Sequence, residues 1–346
     1  MNTDCPLPIA TDEAIRLGHG SGGELTQQLL REFVFPHIDN PWLRQGHDSA
    51  VLAIGNSKIV FTTDSFVVTP LFFPGGDIGE LAVYGTVNDL AMSGAKPLYL
   101  SCSLILEEGL NMETLKRVMD SMGRAAKSTG VQLVTGDTKV VERGKGDGLY
   151  INTAGIGVIE HPVQVSPQII GEGDAILLSG DLGRHGIAIM ATREGLEFEM
   201  PLASDCAPLH TAVQDLLRHG LEVHCLRDLT RGGLATALAE LAESSGKDLL
   251  IQEAQIPVCE SVEGACELLG LDPLYVANEG RFIAIVPPEQ AELALAALQA
   301  SPVSTGSTII GRVGGRSARP TVILETALGC ERILDRLAGE QLPRIC

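Results

Sequence analysis

From residue 49 onward, short apolar runs alternate with longer segments in which apolar residues recur every three or four positions. The runs at 51–54, 58–63, 98–105, 132–135 and 150–158 are rich in branched or aromatic residues and predict strands. The spacing over 78–91 and 112–128 predicts helices, the second ending near Gly130. Ahead of them, 24–35 predicts a helix stopped by Pro36 and preceded by the glycine-rich Gly18-His19-Gly20-Ser21-Gly22-Gly23. The stretch 161–173, with Pro162, Pro167, Gly171 and Gly173, predicts a boundary. Beyond it, 175–179 and 282–286 predict strands, and 186–194 and 234–244 predict helices, the last following a Gly232-Gly233 turn. Pro287-Pro288-Glu289 opens another helix, and 322–325 with 332–334 flank Gly329 as a hairpin. Residues 338–346 follow no pattern; extended at ~3.3 Å per residue they reach about 30 Å, enough to enter a cleft elsewhere on the protein.

At 346 residues the chain exceeds the size at which one core stops growing, so two domains are expected. The expected division is a leader over 1–40, an α/β domain over 41–160, a linker over 161–173, a second α/β domain over 174–337 and a flexible tail over 338–346. Hydrophobic residues make up 45% but aromatics only 4%, so small aliphatic side chains must pack the interior. Forty-four acidic against 25 basic residues give a net charge of −19, which repels polyanions and argues against a nucleic-acid surface. Any phosphate substrate then needs cations to bridge it, although acidity by itself also serves solubility. No apolar stretch approaches the ~18 residues of a membrane span, and Met1-Asn2-Thr3-Asp4 has no signal-peptide start, so a cytoplasmic protein is expected. The eight cysteines contain no C-x-x-C pair, which leaves neither a disulfide framework nor a zinc knuckle indicated.

Several apolar runs lead into an aspartate: Asp64, Asp137 and Asp228, with Asp48 and Asp89 beside glycine or helix turns. Singly, each is more often a turn residue or helix cap. Five in short Gly/Thr/Asn contexts point instead to carboxylates converging on a hard cation, Mg²⁺ on a nucleotide phosphate being the usual one. The leader matches G-x-G-x-x-G formally, yet no strand enters it and no Walker A sequence exists. What remains is a glycine-rich turn at a helix start, either an anion site or a flexible leader. Glu279 precedes an apolar strand and Lys139 follows Asp137 by two residues; such a pair moves protons at a nucleotide site or simply lies on the surface. Cys346, in Leu342-Pro343-Arg344-Ile345-Cys346, reads as the reactive end of a covalent substrate arm, the other reading being a frayed end. It is not a C-a-a-X box, and Pro343 favours an extended tail.

Taken together, Gly18 to Gly23, Asp48-Ser49-Ala50, 62–69, GTVNDLAMSGAKP at 85–97, TGDTKVV at 135–141, 179–186, RDLTRGGLA at 227–235, 277–280 and the final Pro-Arg-Ile-Cys span nearly the whole chain. The chain resembles the HypE family of hydrogenase maturation factors, within the superfamily of aminoimidazole ribonucleotide (AIR) synthetase, selenophosphate synthetase and thiamine monophosphate kinase. The Asp-bearing runs indicate only the superfamily, whereas Pro-Arg-Ile-Cys is specific to HypE. The resemblance implies an α/β (α+β) fold of two PurM/AIR-synthase-like domains, with the N-terminal domains pairing in a homodimer. It further implies that ATP and Mg²⁺ sit at Asp48, Asp64, Asp89, Asp137 and Asp228 with Asn88 nearby, and that Gly20, Ser21, Gly22 and Gly23 of the leader cover the nucleotide. HypF would carbamoylate Cys346, ATP would dehydrate the thiocarbamate to a thiocyanate, and the cyano group would pass to the HypC–HypD complex as a cyanide ligand for NiFe hydrogenase. Glu279 is then the candidate base, and Lys139 the group that polarises the carbamoyl oxygen or the transferring phosphate.

Two rivals make different demands. A phosphotransfer enzyme of the same superfamily acting on a free small molecule would not need Cys346; a selenophosphate synthetase would carry a Cys or selenocysteine in the glycine-rich run, which has none. A non-catalytic carrier would leave the aspartates without a role.

Overall fold

Two mixed sheets, each backed by helices, make up the body of the computed structural model, which describes residues 14–196, 202–337, 342 and 344–346. The start of the expected leader, and residues 338–341 and Pro343 of the expected tail, lie outside the described residues. The leader helix does not stop at Pro36. It runs as α1 (Glu24–Leu29), a wide π turn (Leu30–Val34) and α2 (Phe35–Ile38), with Pro36 in the first turn of α2. The wider turn accommodates a proline whose ring would otherwise meet the carbonyl four residues earlier.

The first sheet is built from β1 (Ala50–Ile54), β2 (Ser57–Phe66), β5 (Lys96–Glu107), β6 (Gln132–Val141) and β7 (Leu149–Val158), in the order β1-β2-β7-β5-β6 with only β5 and β6 parallel. A two-residue pair, β3 (Phe72–Phe73) and β4 (Gly76–Asp77), leads into α3 (Ile78–Met92), and α4 (Met112–Thr129) crosses between β5 and β6. The Asp77 side chain caps α3 by accepting from Gly79 N–H at 2.8 Å and Glu80 N–H at 3.2 Å. α3 is buried on nearly every side, because the first sheet covers one face and the second half of the molecule covers the other. α4 is amphipathic and capped by Asn111, and it buries Val118, Met122 and Ala125.

In the second half, β8 (Ala175–Leu178), β9 (Cys225–Asp228), β10 (Lys247–Gln252), β11 (Phe282–Val286), β12 (Thr308–Arg316), β13 (Val322–Glu325) and β14 (Glu331–Leu334) form a sheet ordered β14-β13-β10-β12-β8-β11-β9. The hairpin read around Gly329 is present, Val322 pairing with Leu334. α7 (Gly233–Ser245) packs on one face of this sheet, and α6 (His210–Arg218) and α9 (Ala291–Gln299) on the other. α5 (Arg184–Glu194) and α8 (Glu260–Leu269) turn towards the first half and share its core. β8 and β11 are buried on both faces, which explains their uninterrupted apolar sequences. Among the described residues no helix is long and apolar enough to cross a membrane.

Candidate active site

Between the two sheets lies a cleft of about 960 Å³, lined by Asp48, Asp64, Asp89, Asp228, Glu279 and Cys346. Each acid arrives by a different route. Asp64 lies within β2, not at a strand end, on the row Asp64–Thr153–Cys102–Gly136 that faces the helices. Asp89 comes from α3, and the Thr62 hydroxyl sits 2.8 Å from its Oδ2 and 3.0 Å from the Asp48 main-chain oxygen, tying the two acids together. Asp228 is the last residue of β9, where the chain turns through Gly232 and Gly233, both at positive φ (75° and 59°), to start α7. Glu279 is set by Asp205, whose Oδ2 accepts from the N–H groups of Glu279 (3.2 Å) and Gly280 (2.9 Å).

Crowding four aspartates and a glutamate makes their ionised forms unfavourable. Burial comes first in every case and pushes Asp228 up to about 6 and Asp48 up to about 8, the latter despite Arg227 Nη1 at 2.9 Å from its Oδ1. Asp64 is raised by burial, Asp89 far more by burial and by Asp228 and Asp64, and Glu279 by burial and by Asp228 and Asp64. Two buried carboxylate oxygens, Asp48 Oδ2 and Glu279 Oε1, have no hydrogen-bond partner. Both features fit a site that receives positive charge. Among the described residues no three carboxylate, imidazole or thiol groups close around one point.

The end of the tail lies inside this cleft. Val67 N–H donates to the Cys346 main-chain oxygen (2.9 Å) and Thr69 N–H to that of Arg344 (3.3 Å), so the tail runs antiparallel along 67–69. The Arg344 side chain returns a bond from Nε to Val67 O at 3.1 Å and pairs with Asp147. Leu342 and Ile345 are buried in the core shared by α3 and α5, each contributing roughly 1.5–3 kcal/mol to docking. Burial pushes the Cys346 thiol up to about 12, with Arg231 opposing the shift and Glu279 and Asp64 adding to it. At neutral pH the docked thiol is therefore protonated and a poor nucleophile.

Arg231 was not singled out from the sequence. Its side chain presents itself to the open cleft, and its pKa is raised first by Cys346 and also by Asp64, Asp89 and Glu279. The signal available was an unassigned arginine inside the RDLTRGGLA run, three residues after an aspartate.

The leader covers the cleft as a close-fitting strap. Gly22 lines the cleft over Arg231, Gly20 and Ser21 line a smaller pocket beside the tail, and Gly23 passes Leu337 so closely that a Cβ there would sit 2.6 Å from the Leu337 oxygen. Gly22 N–H bonds to Thr26 Oγ (2.9 Å) and Glu24 N–H to Leu337 O (3.0 Å), so these two donors are occupied within the protein.

Three residues read from the sequence lie elsewhere in the chain. Asn88 is buried with its amide spent on main chain: Oδ1 accepts from Leu209 N–H (2.8 Å), and Nδ2 donates to Ala207 O (3.1 Å) and Glu279 O (3.4 Å). It braces the Glu279 loop and does not line the cleft. Asp137 and Lys139 pair with each other at 2.6 Å on the exposed strand β6. Asp137 belongs to the row Ser65–Asn152–Ser103–Asp137, on the face of the sheet opposite Asp64, because strand side chains alternate.

This fold is that of the AIR synthase related proteins: the family model for their N-terminal domain matches residues 46–159, and that for their C-terminal domain matches 171–323. A carbamoyl dehydratase HypE from Cupriavidus necator is 51% identical over 342 residues, 99% of this chain and 97% of that one. A crystal structure of HypE in complex with ATP superimposes with a TM-score of 0.81 at 49% identity, covering 95% of this chain and 98% of that chain. A crystal structure of a HypE–HypF complex gives a TM-score of 0.85 at 45% identity, covering 89% and 99%. The chain belongs to the HypE family of hydrogenase maturation proteins.

Proposed function

We propose that this protein uses ATP to dehydrate a carbamoyl group carried on Cys346, making a thiocyanate that supplies the cyanide ligand for NiFe hydrogenase. The observation that carries this reading is the Cys346 thiol held inside the acidic cleft, beside Arg231 and Glu279. The likeness to a HypE solved with ATP supports the nucleotide, and the likeness to a HypE solved with HypF supports HypF as carbamoyl donor. Delivery of the cyano group to HypC–HypD is part of the same proposal, and membership of the HypE family supports it.

The reaction balances as R–S–C(=O)–NH₂ + ATP → R–S–C≡N + ADP + phosphate. An amide oxygen is a poor leaving group. Its attack on the γ-phosphoryl group, with loss of one N–H proton, gives R–S–C(=NH)–O–phosphate and ADP; loss of the second N–H proton expels phosphate and leaves the nitrile. Arg231 lies where it neutralises charge on the carbamoyl oxygen and the transferring phosphoryl group. Glu279, whose proton affinity is raised by burial and its acidic neighbours, is the base that takes N–H protons. Asp48, Asp64, Asp89 and Asp228 are the groups that would hold Mg²⁺, which supplies charge neutralisation on the phosphates.

Asp137 and Lys139 enter through a second copy of the chain. The outer face of the first sheet carries exposed apolar residues, among them the cross-strand row Phe61, Ile156 and Tyr99. Nothing in the described chain covers that face, and a homodimer pairing two such faces would bury it. The cleft reaches the same face at Phe61 and Thr63, so Asp137 and Lys139 of the opposing copy would serve it.

The test is mass spectrometry of the Cys346 peptide after HypF, carbamoyl phosphate and ATP, then after Mg²⁺–ATP alone. A carbamoyl adduct that loses one water is expected, and Asp89→Ala should keep the adduct without that loss. An adduct that never loses water makes the protein a carrier, and no adduct at all makes it an enzyme for a free substrate.

A further inference from the structure

His185, in the first turn of α5, lies outside the cleft yet touches the tail. The residue is completely buried, and both ring nitrogens are engaged: Nδ1 with Ser204 Oγ and Nε2 with the Ile345 main-chain oxygen, each at 2.8 Å. A carbonyl oxygen only accepts, so Nε2 carries the hydrogen. Burial lowers the pKa of the ring, which is therefore neutral, and Nδ1 accepts from the Ser204 hydroxyl. Ser204 Oγ in turn accepts from Cys206 N–H at 3.0 Å, so the relay is satisfied at every atom. The ring stands edge-on to Phe73, centroids 5.3 Å apart at 89°, which fixes its plane. Beside it, Arg193 donates from Nε to Thr69 O at 2.6 Å and from Nη2 to Arg344 O.

A buried histidine satisfied by its own core would be a packing residue. Here the acceptor sits 160 positions away, next to Cys346. The same Asp205 that fixes Glu279 and Gly280 through Oδ2 accepts His185 N–H through Oδ1 at 3.0 Å. One carboxylate thus sets the distance between the seat of the tail and Glu279.

We propose that His185 is a positioning residue: its Nε2–H bond to Ile345, relayed from Ser204, seats the tail so that Cys346 is held in the cleft for the ATP-dependent step. When the tail leaves, a buried N–H donor loses its acceptor, which draws the tail back. The seating stands on the contacts alone; its use in the ATP-dependent step rests on the dehydratase reading.

The experiment compares the parent with His185→Leu, His185→Gln and Ser204→Ala in the full chain without nucleotide, following iodoacetamide alkylation of each cysteine by peptide mass spectrometry. His185→Leu should raise Cys346 alkylation roughly tenfold, while His185→Gln, which keeps a donor, stays within about twofold of the parent. Exposed Cys330 should be unchanged and buried Cys225 should stay unlabelled. If His185→Leu does not fold, Ser204→Ala, which removes the relay but keeps the ring, is read by the same criteria with a smaller rise. Equal Cys346 rates in parent and variants overturn the proposal, as does a rise that Cys225 shares. A second arm follows carbamoylated Cys346: His185→Leu should slow water loss in a single turnover while adduct formation by HypF is undiminished. Equal losses in both steps reduce His185 to a structural residue. If the parent adduct never loses water, the dehydratase reading fails, and the alkylation arm still decides the seat.

Discussion

Arg231 and Glu279 act on one thiol in opposite directions, Arg231 lowering its pKa and Glu279 raising it, and on the dehydratase reading both are needed when the carbamoyl group arrives. Glu279→Gln keeps the shape of the loop and removes the proton acceptor. Water loss from carbamoyl-Cys346 should then slow by about 10²–10⁴-fold with adduct formation intact, measured in a single turnover by mass spectrometry. The shifted acids also predict how stability follows pH. Asp228 and Asp48 have folded values near 6 and 8 against an ordinary 3.8, so the fold favours their protonated forms. That contribution is fully present below 3.8 and lost as pH rises through 6 and then 8. The nucleotide-free protein should therefore melt at progressively lower temperature from about pH 5 to pH 8.5, and Mg²⁺–ATP should flatten the decline. A melting temperature that climbs over this range would contradict the charge balance described. At this scale, the meeting of Asp48, Asp64, Asp89, Asp228 and Glu279 in one cleft was legible because each sits in a short motif. Arg231 and His185 were not, since a lone arginine after a threonine and a histidine at a helix start acquire meaning only from the tail that meets them. The main-chain bonds of Asn88 were not legible, because it adjoins Asp89 in sequence while its amide is held by Ala207, Leu209 and Glu279, which are distant in sequence.

Among elements, the leader meets the end of the second half at Leu337, where Glu24 N–H is bonded and Gly23 has no room for a side chain. Gly23→Ala should lift the leader from the cleft and raise the KM for ATP several-fold, with little change in melting temperature, because the leader carries little of the core; an unchanged KM would remove the leader from the nucleotide site. Elements with clear periodicity, such as α3, α4, β7 and β11, lay close to their predicted limits. The strands β2 and β6 run past the points where Asp64 and Asp137 suggested an end: Asp137 lies on the open face, where a sheet tolerates polar residues, and Asp64 points into the cleft. β12 contains Gly311, Gly314 and Gly315, which hides a strand from any reading by propensity, and its partners on both sides hold it in place.

For the whole molecule, the apolar outer face of the first sheet and the position of Lys139 on β6 combine into one prediction. Asp89→Ala and Lys139→Ala copies should each be inactive alone. Mixed and allowed to exchange, half the dimers contain both copies with one intact site of two, so about a quarter of parental water-loss activity should return. No recovery would mean that Lys139 serves its own chain or none. The tail has a consequence of a different kind. Its thiol belongs to the same molecule as the cleft, so on the dehydratase reading the supply of reactant is fixed at one group per chain, and output should count loaded copies instead of following a saturation curve. Diluting the protein should leave the second step at the same rate for as long as the dimer holds. A free peptide ending in Pro-Arg-Ile-Cys would need to reach about millimolar levels before it displaced the resident tail.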